Sequence, residues 1–180
     1  MVNWPEEFPF ISTNRLNLRE IEMEDAYRIL DYRNNKKNFE HVIMSEFKTI
    51  QEAENHVKIM KKGFYQKDWI LWSISLKNNN EIIGTISLWN FKLEDESAEF
   101  GFGIFPKHRK KGYMKETLVE CINFAFNKLH LKKIYAFTNV TNIESKSLLE
   151  TLNFNYEGEE IDDYGPEYGK INQAIYSIKL

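Results

Sequence analysis

Residues 98–116 read AEFGFGIFPKHRKKGYMKE, and the rest of the 180-residue chain is arranged around them. Phe and Ile favour an extended strand and Gly does not, so Gly101 and Gly103 need a reason. Glycine inside a strand marks a bulge, or a place where another backbone or a ligand comes close. Pro106 has no N–H and ends the ladder. His108-Arg109-Lys110-Lys111-Gly112 then precedes a helix, whose free N–H groups and positive dipole end favour an anion. Gly112 lets the backbone turn tightly and approach a ligand with no Cβ in the way. A basic run is also what a solvated surface turn looks like. Glycine strand, proline stop, basic turn and helix, all within about twenty residues, together describe a phosphate cradle. It is neither G-x-x-x-x-G-K-[ST] nor G-x-G-x-x-G.

Downstream, Met114, Leu118, Cys121, Ile122, Ala125, Phe126 and Leu129 give the clearest helical period in the chain. Lys133–Thr138 reads as a strand, parallel to the glycine strand if the helix between them is a βαβ crossover. A helix from about Asn142 to Leu152 follows, opened by a capping box at Thr141-x-x-Glu144. Phe154–Ile161 and Asn172–Ile178 close the sheet as a hairpin around a long polar loop. Upstream, Thr13–Ile21 alternates as a half-buried strand and Asp25–Asn34 is a short helix. Residues 35–48 are polar and irregular, and the capping box Thr49-x-x-Glu52 opens a second amphipathic helix through Phe64. Trp69–Leu76 and Ile82–Trp89 pair as a hairpin across the Asn-rich turn 77–81. The expected order, β-α-α-β-β-β-α-β-α-β-β, is a mixed α/β, mostly antiparallel sheet with helices on both faces. Its one central parallel pair is free to splay and open a slot over the sheet.

At this length a single domain over residues 1–180 is expected, with a genuine core. A composition of 42% hydrophobic and 28% charged residues argues against disorder. The net charge of −3 makes the basic turn a local patch, so no nucleic-acid partner is expected. The only cysteine, Cys121, falls on the apolar helix stripe and cannot form an internal disulfide, which fits a reducing, cytoplasmic setting. No apolar run approaches 18 residues, so no membrane partner is expected. Four scattered histidines lack paired ligand spacing, so no metal is expected.

Two constellations could carry chemistry. Alternation puts Glu99, Gly101 and Gly103 on one strand face, with Ala98, Phe100, Phe102 and Ile104 on the other. A carboxylate beside side-chain-free backbone can meet a ligand lying along the strand, and partial burial would raise its pKa into a general base's range. A salt-bridged edge glutamate is the plainer alternative. Asn142 and Ser145 follow the neighbouring strand, at the mouth of the same slot; residues of these types in a first helical turn also serve simply as caps.

Arg109-Lys110-Lys111-Gly112-Tyr113-Met114 resembles the [Q/R]-x-x-G-x-[G/A] acyl-coenzyme A pyrophosphate loop of the GNAT acetyltransferases, with Met114 where the family has a small residue. Asn142, Ser145, Leu148, Leu149, Glu150, Leu152 and Phe154 are similar to the N-x-x-S-x-x-L-L-E-K-L-G-F pattern of the subgroup that acetylates ribosomal-protein N-termini, with Asn153 replacing Gly. Thr13-Asn14-Arg15-Leu16-Asn17-Leu18-Arg19 likewise resembles that subgroup's T-x-R-L-x-L-R start. The resemblance implies acetyl-coenzyme A as co-substrate between splayed strands. Its pantetheine would lie along Phe102 and Ile104, and its pyrophosphate on the amides of Lys110 to Met114, with Arg109 and Asn142 also at the cofactor. It further implies Glu99 as base, a strand N–H near Ile104 for the oxyanion and Ser145 as acid. Leu149 stands where many members have the acidic Tyr, and Tyr176 is a spare candidate.

The leading expectation is N-acetylation of a primary amine, a protein N-terminal α-amine first and a small amine such as an aminoglycoside or polyamine second. A non-catalytic coenzyme A-binding module is the rival from another class, and an RNA-contact patch at 107–111 a third. A monomer or a homodimer fits the chain equally.

Overall fold

The computed structural model describes residues 2–180. Eight strands form one sheet: β1 (Ile11–Ser12), β2 (Leu16–Glu20), β3 (Ile70–Leu76), β4 (Ile82–Lys92), β5 (Ser97–Ile104), β6 (Lys133–Asn139), β7 (Asn155–Asp163) and β8 (Lys170–Lys179). Their spatial order is β1-β2-β3-β4-β5-β6-β8-β7. Only β5 and β6 run parallel among the described strands. The helices are α1 (Ala26–Arg33), α2 (Ile50–Gln66), α3 (Tyr113–Asn127), α4 (Ile143–Thr151) and a four-residue α5 (Gly165–Tyr168).

Side-chain alternation sorts the helices onto two faces. Leu16, Leu18, Trp72, Ile74, Ile86, Ala98, Phe100, Ile134 and Ala136 are buried with Met114, Leu118, Cys121 and Leu149, so α3 and α4 cover that side. Each fully buried Leu or Ile contributes about 1.5–3 kcal/mol there. The other side carries a smaller cluster, Ile21, Ala26, Ile29, Ala53 and Val57, against Leu71. Leu71 pairs with Ser87, and Ser87 with Gly101, which puts α1 and α2 on the face of Glu99.

The glycine strand keeps an unbroken register with β4 from Ile104↔Gly84 to Glu99↔Trp89, so it contains no bulge and the expected face assignment holds. Close approach explains two of the glycines. A Cβ on Gly84 would lie 2.2 Å from the Gly103 carbonyl oxygen, and one on Gly101 would lie 3.0 Å from Ser87 Oγ. At Gly103 an added Cβ would meet only Tyr32 Oη, at 3.9 Å.

The pairing of β5 with β6 decides the architecture. It runs for four rungs, Ser97↔Lys133 to Phe100↔Ala136, and then stops. Beyond that point β5 stays with β4 as far as Ile104, while β6 stays with β8 as far as Asn139↔Gln173. The two strands part with each still hydrogen-bonded on its outer side, and a slot opens between them.

Three expectations need correction. The Thr141–Glu144 capping box does not form: Asn142 is the N-cap, its side chain accepting from the Ser145 N–H, while Asn139 Oδ1 takes the Thr141 N–H and hydroxyl. The strand expected to end at Ile161 runs on to Asp163 as β7, β8 starts at Lys170 rather than Asn172, and the hairpin loop shrinks to Tyr164–Gly169 around α5. Strand β4 also continues past Trp89 to Lys92. The Thr49–Glu52 box forms as expected, and Asn153 adopts the left-handed conformation (φ 63°) that its replacement of Gly required.

Candidate active site

The slot widens into a cleft of about 660 Å³ bounded by β5, the turn into α3, one side of α4 and the segment between α1 and α2. Phe102, Ile104, Arg109, Lys110, Gly112, Tyr113, Met114, Asn142 and Ser145 all line it; Lys111 and Glu99 do not. The walls also include Tyr32, Phe39, His41, Val42, Ile143 and Leu148, which sequence reasoning did not single out.

At one end is the turn 109–112. Gly112 is the N-cap of α3 with φ 77°, a conformation that strains any residue with a Cβ. The first amides of the fifteen-residue α3 therefore face the cleft without a side-chain cap. Lys110, also left-handed at φ 59°, reaches across the mouth to Glu144 at 3.0 Å. Both side chains are well exposed, so the pair contributes little and an anion can displace it.

The turn is propped from behind by the N-terminal motif. Glu116, in the first turn of α3, accepts from Thr13 Oγ1 (2.5 Å), Arg15 N (2.8 Å) and Arg15 Nε (2.6 Å). Arg15 Nη1 donates to the Lys111 carbonyl at 2.9 Å, and its guanidinium stacks 4.5 Å from the Tyr113 ring centre. These donors hold the Glu116 carboxyl below its ordinary range against the opposing effect of burial. The T-x-R start thus fixes the backbone of the cradle.

Outside the cleft lining, Glu99 sits on the next-to-last rung before the strands part, between Trp89 and Tyr135. It is 8% exposed and accepts from Asn90 Nδ2, brought round by the left-handed Asn90 (φ 49°). Burial pushes its carboxyl above the ordinary range; Glu160 and Asp162 add to the effect, while Asn90 and Lys92 oppose it. Register explains the neighbours: Tyr135↔Ser177 and Asn139↔Gln173 carry the same face across to Glu160↔Gln173 and Asp162↔Ile171. Nothing in the local sequence pattern of Trp89-Asn90-Phe91 signals the role of Asn90.

Ser145 is half-buried, with its backbone N–H fixed 3.1 Å from Asn142 Oδ1. Tyr176, the spare acid, lies on the other face, 1% exposed, and donates to Glu150 at 2.8 Å; burial and that carboxylate push it up to about 12. It does not line the cleft. Cys121 is fully buried and its thiol is pushed up by that burial, which leaves it inert.

The cleft therefore joins amide donors at a helix start to an apolar strip along Phe102, Ile104 and Leu148, and a desolvated carboxyl stands beyond its lining on the adjoining face of β5. Donors for a diphosphate, an apolar wall for an extended chain and a carboxyl beyond its end suit a coenzyme thioester. Residues 15–155 match the acetyltransferase (GNAT) domain. The uncharacterised N-acetyltransferase YoaA of Bacillus subtilis (strain 168) is 28% identical over 151 residues, covering 84% of this chain and 85% of YoaA. Among solved structures, a ribosomal-protein-alanine acetyltransferase from Vibrio fischeri superposes with TM-score 0.79 at 20% identity, over 95% of this chain and 96% of that one. A spermidine N-acetyltransferase from Vibrio cholerae, in complex with CoA and spermine, superposes with TM-score 0.78 at 22% identity, over 92% and 95%.

Proposed function

The chain belongs to the GNAT acetyltransferase family, acetyl-coenzyme A-dependent enzymes, and we propose that residues 1–180 act as one catalytic unit that acetylates a primary amine by direct attack. A protein N-terminal α-amine is the leading acceptor. The observation that carries the proposal is the four-rung β5–β6 pairing, with the helix start of α3 beside the gap that follows.

Acetyl-coenzyme A supplies an activated acetyl thioester. The amides of residues 110–114 receive its diphosphate, where Gly112 keeps the approach clear, and the free edge of β5 at Phe102 and Ile104 aligns its amide-bearing arm. Glu99, with its proton affinity raised by burial, takes the ammonium proton of the incoming amine, directly or through one water. A β5 N–H near Ile104 faces the oxygen on which negative charge develops. As the C–S bond breaks, Ser145, in the first turn of α4, gives a proton to the departing sulfur and regains one from the nitrogen, which sheds its second proton as the amide forms. Asn142 holds that turn in place.

A second acceptor class, a small polyamine, has its own support. Glu160 and Asp162 share the face of Glu99, and carboxylates there favour an acceptor with more than one positive charge. Thiol release from acetyl-coenzyme A, measured with peptides bearing free Ala or Ser N-termini and with spermidine, separates the classes. Turnover with the peptides is expected. Turnover with spermidine alone would reassign the acceptor, and no turnover with any amine would favour a non-catalytic coenzyme A-binding module.

A further inference from the structure

Arg109 opens the cradle sequence, yet its side chain is engaged away from the α3 amides. Nε donates to the Ile104 carbonyl at 3.1 Å, and Nη2 donates to the Asn38 carbonyl. Its positive charge and a hydrogen bond also act on Tyr32, partly offsetting the rise that burial causes in that phenol. One guanidinium thus joins the end of β5, the C-terminal end of α1 and the segment that leaves it.

That segment, residues 34–47, is a loop with its ends held together. Phe47 N donates to the Arg33 carbonyl at 2.9 Å, Arg33 Nε and Nη2 reach the Ser45 carbonyl at 3.0 and 2.6 Å, and Arg33 lies over the Phe47 ring. Asn38 Nδ2 donates to the Tyr32 carbonyl at 2.7 Å, and Phe39, 4% exposed, packs on Tyr32. Tyr32 in turn stacks on Phe105, with centroids 4.6 Å apart. From Phe39 to Val42 the loop forms a wall of the cleft, on the α1 side where Tyr32 Oη overlooks Gly103. Arg33 pins the far side of the loop; on the cleft side the cation that reaches it is Arg109.

We propose that Arg109 is a positioning residue that fastens the 34–47 loop over the acceptor side of the cleft, so that filling the coenzyme side orders the acceptor wall. Arg109 lies three residues before Gly112, in the same turn, so whatever fixes the backbone of residues 110–114 also fixes the reach of the guanidinium. A planar fork gripping two carbonyls depends on position more than charge does, and lysine cannot reproduce it. By linkage, an acceptor bound under the loop must tighten the coenzyme by the same factor that the coenzyme tightens the acceptor. The proposal rests on the acetyltransferase reading for its acceptor, though its structural core does not.

The test uses the full chain as wild type, Arg109→Gln and Arg109→Lys, with Asn38→Ala as a variant that loosens the loop without touching the turn. Coenzyme A affinity is measured by calorimetry, and amide exchange over residues 36–46 is followed with and without coenzyme A. KM and kcat are measured for whichever amine the thiol assay accepts. The expected result is coenzyme A affinity within threefold of wild type in every variant. Slowing of exchange over 36–46 by coenzyme A should be present in wild type and lost in both Arg109 variants. Acceptor KM should rise tenfold or more in all three variants, with kcat within threefold. A tenfold loss of coenzyme A affinity in Arg109→Gln that Arg109→Lys restores would make the residue a phosphate ligand and overturn the proposal. Retained slowing of exchange in the Arg109 variants would overturn it too, even if no amine is ever acetylated. Absence of turnover with the exchange result intact would instead strike only the acceptor reading.

Discussion

Glu99 owes its proposed role to where it stands on β5. It stands between β4 and β6 on the next-to-last rung that β5 and β6 share; Phe100↔Ala136 is the last, and beyond it the strand partner is gone. Replacing it with glutamine keeps the shape and the Asn90 contact but removes the proton acceptor. We expect kcat to fall about 100-fold, with the acid-side decline of kcat/KM lost, as read from a pH–rate profile. Stability should move the other way. A carboxyl whose proton affinity is raised in the folded chain contributes stability that is full below its unfolded pKa and is lost as pH rises through the folded value. Glu99→Gln is therefore expected to stabilise the fold at pH 7 and to leave it unchanged near pH 4, by thermal unfolding at the two pH values. At Gly112 the relevant quantities are the φ of 77° and the open amides beside it. Gly112→Asp puts a carboxylate where a diphosphate is expected, and we expect coenzyme A affinity by calorimetry to drop at least tenfold; unchanged affinity would remove the cradle from this turn. Residue type and local pattern put forward Glu99, Gly112, Asn142 and Ser145 as candidates, of which the structure brings the last three to one cleft and leaves Glu99 outside its lining. Asn90 and Tyr32 were not, because each acts through a contact that only the folded sheet creates.

Among the elements, those with strong periods read well and those held by tertiary hydrogen bonds did not. The apolar stripe of α3 and the box at Thr49 are local facts, set by side-chain spacing and by the N–H groups that every helix leaves open. By contrast, the end of β7 was missed by two residues, because that strand is exposed on both sides along most of its length and shifts register between Tyr156 and Gly158, so no two-residue alternation marks where it stops. Strand β1 has two residues and α5 four, too short for any periodic signal. The capping residue of α4 was misjudged by one position because Thr141 and Asn142 are both good caps, and Asn139 had already engaged Thr141. A further element-level feature joins β2, β3 and the turn before α1. Arg19 Nη1 and Nη2 each lie 2.8 Å from an Asp25 oxygen, and Asp25, 4% exposed, also accepts from Ser73 Oγ at 3.2 Å and the Glu22 N–H at 2.9 Å. Removing one partner leaves a buried charge unmatched. Asp25→Ala is expected to destabilise the chain by about 3–5 kcal/mol in urea unfolding, with the midpoint lowered and the slope unchanged; a loss below about 1 kcal/mol would mean that water replaces the carboxylate.

For the molecule as a whole, the element order was readable because one βαβ crossover sits among antiparallel neighbours, and right-handed connection leaves few ways to lay that out. The wall formed by residues 39–42 was not readable, nor was the placing of Glu160 and Asp162 on the face of Glu99, since both arise only in the folded sheet. What the account depends on is the parting of β5 and β6 beside the start of α3. A crystal structure of the chain with coenzyme A bound tests this most directly. The account predicts the coenzyme's extended arm between Phe102–Ile104 and residues 137–139, with the diphosphate within hydrogen-bond distance of the amides of residues 110–114. A structure in which β5 and β6 stay paired to Ile104, or in which the diphosphate lies away from that turn, would contradict it.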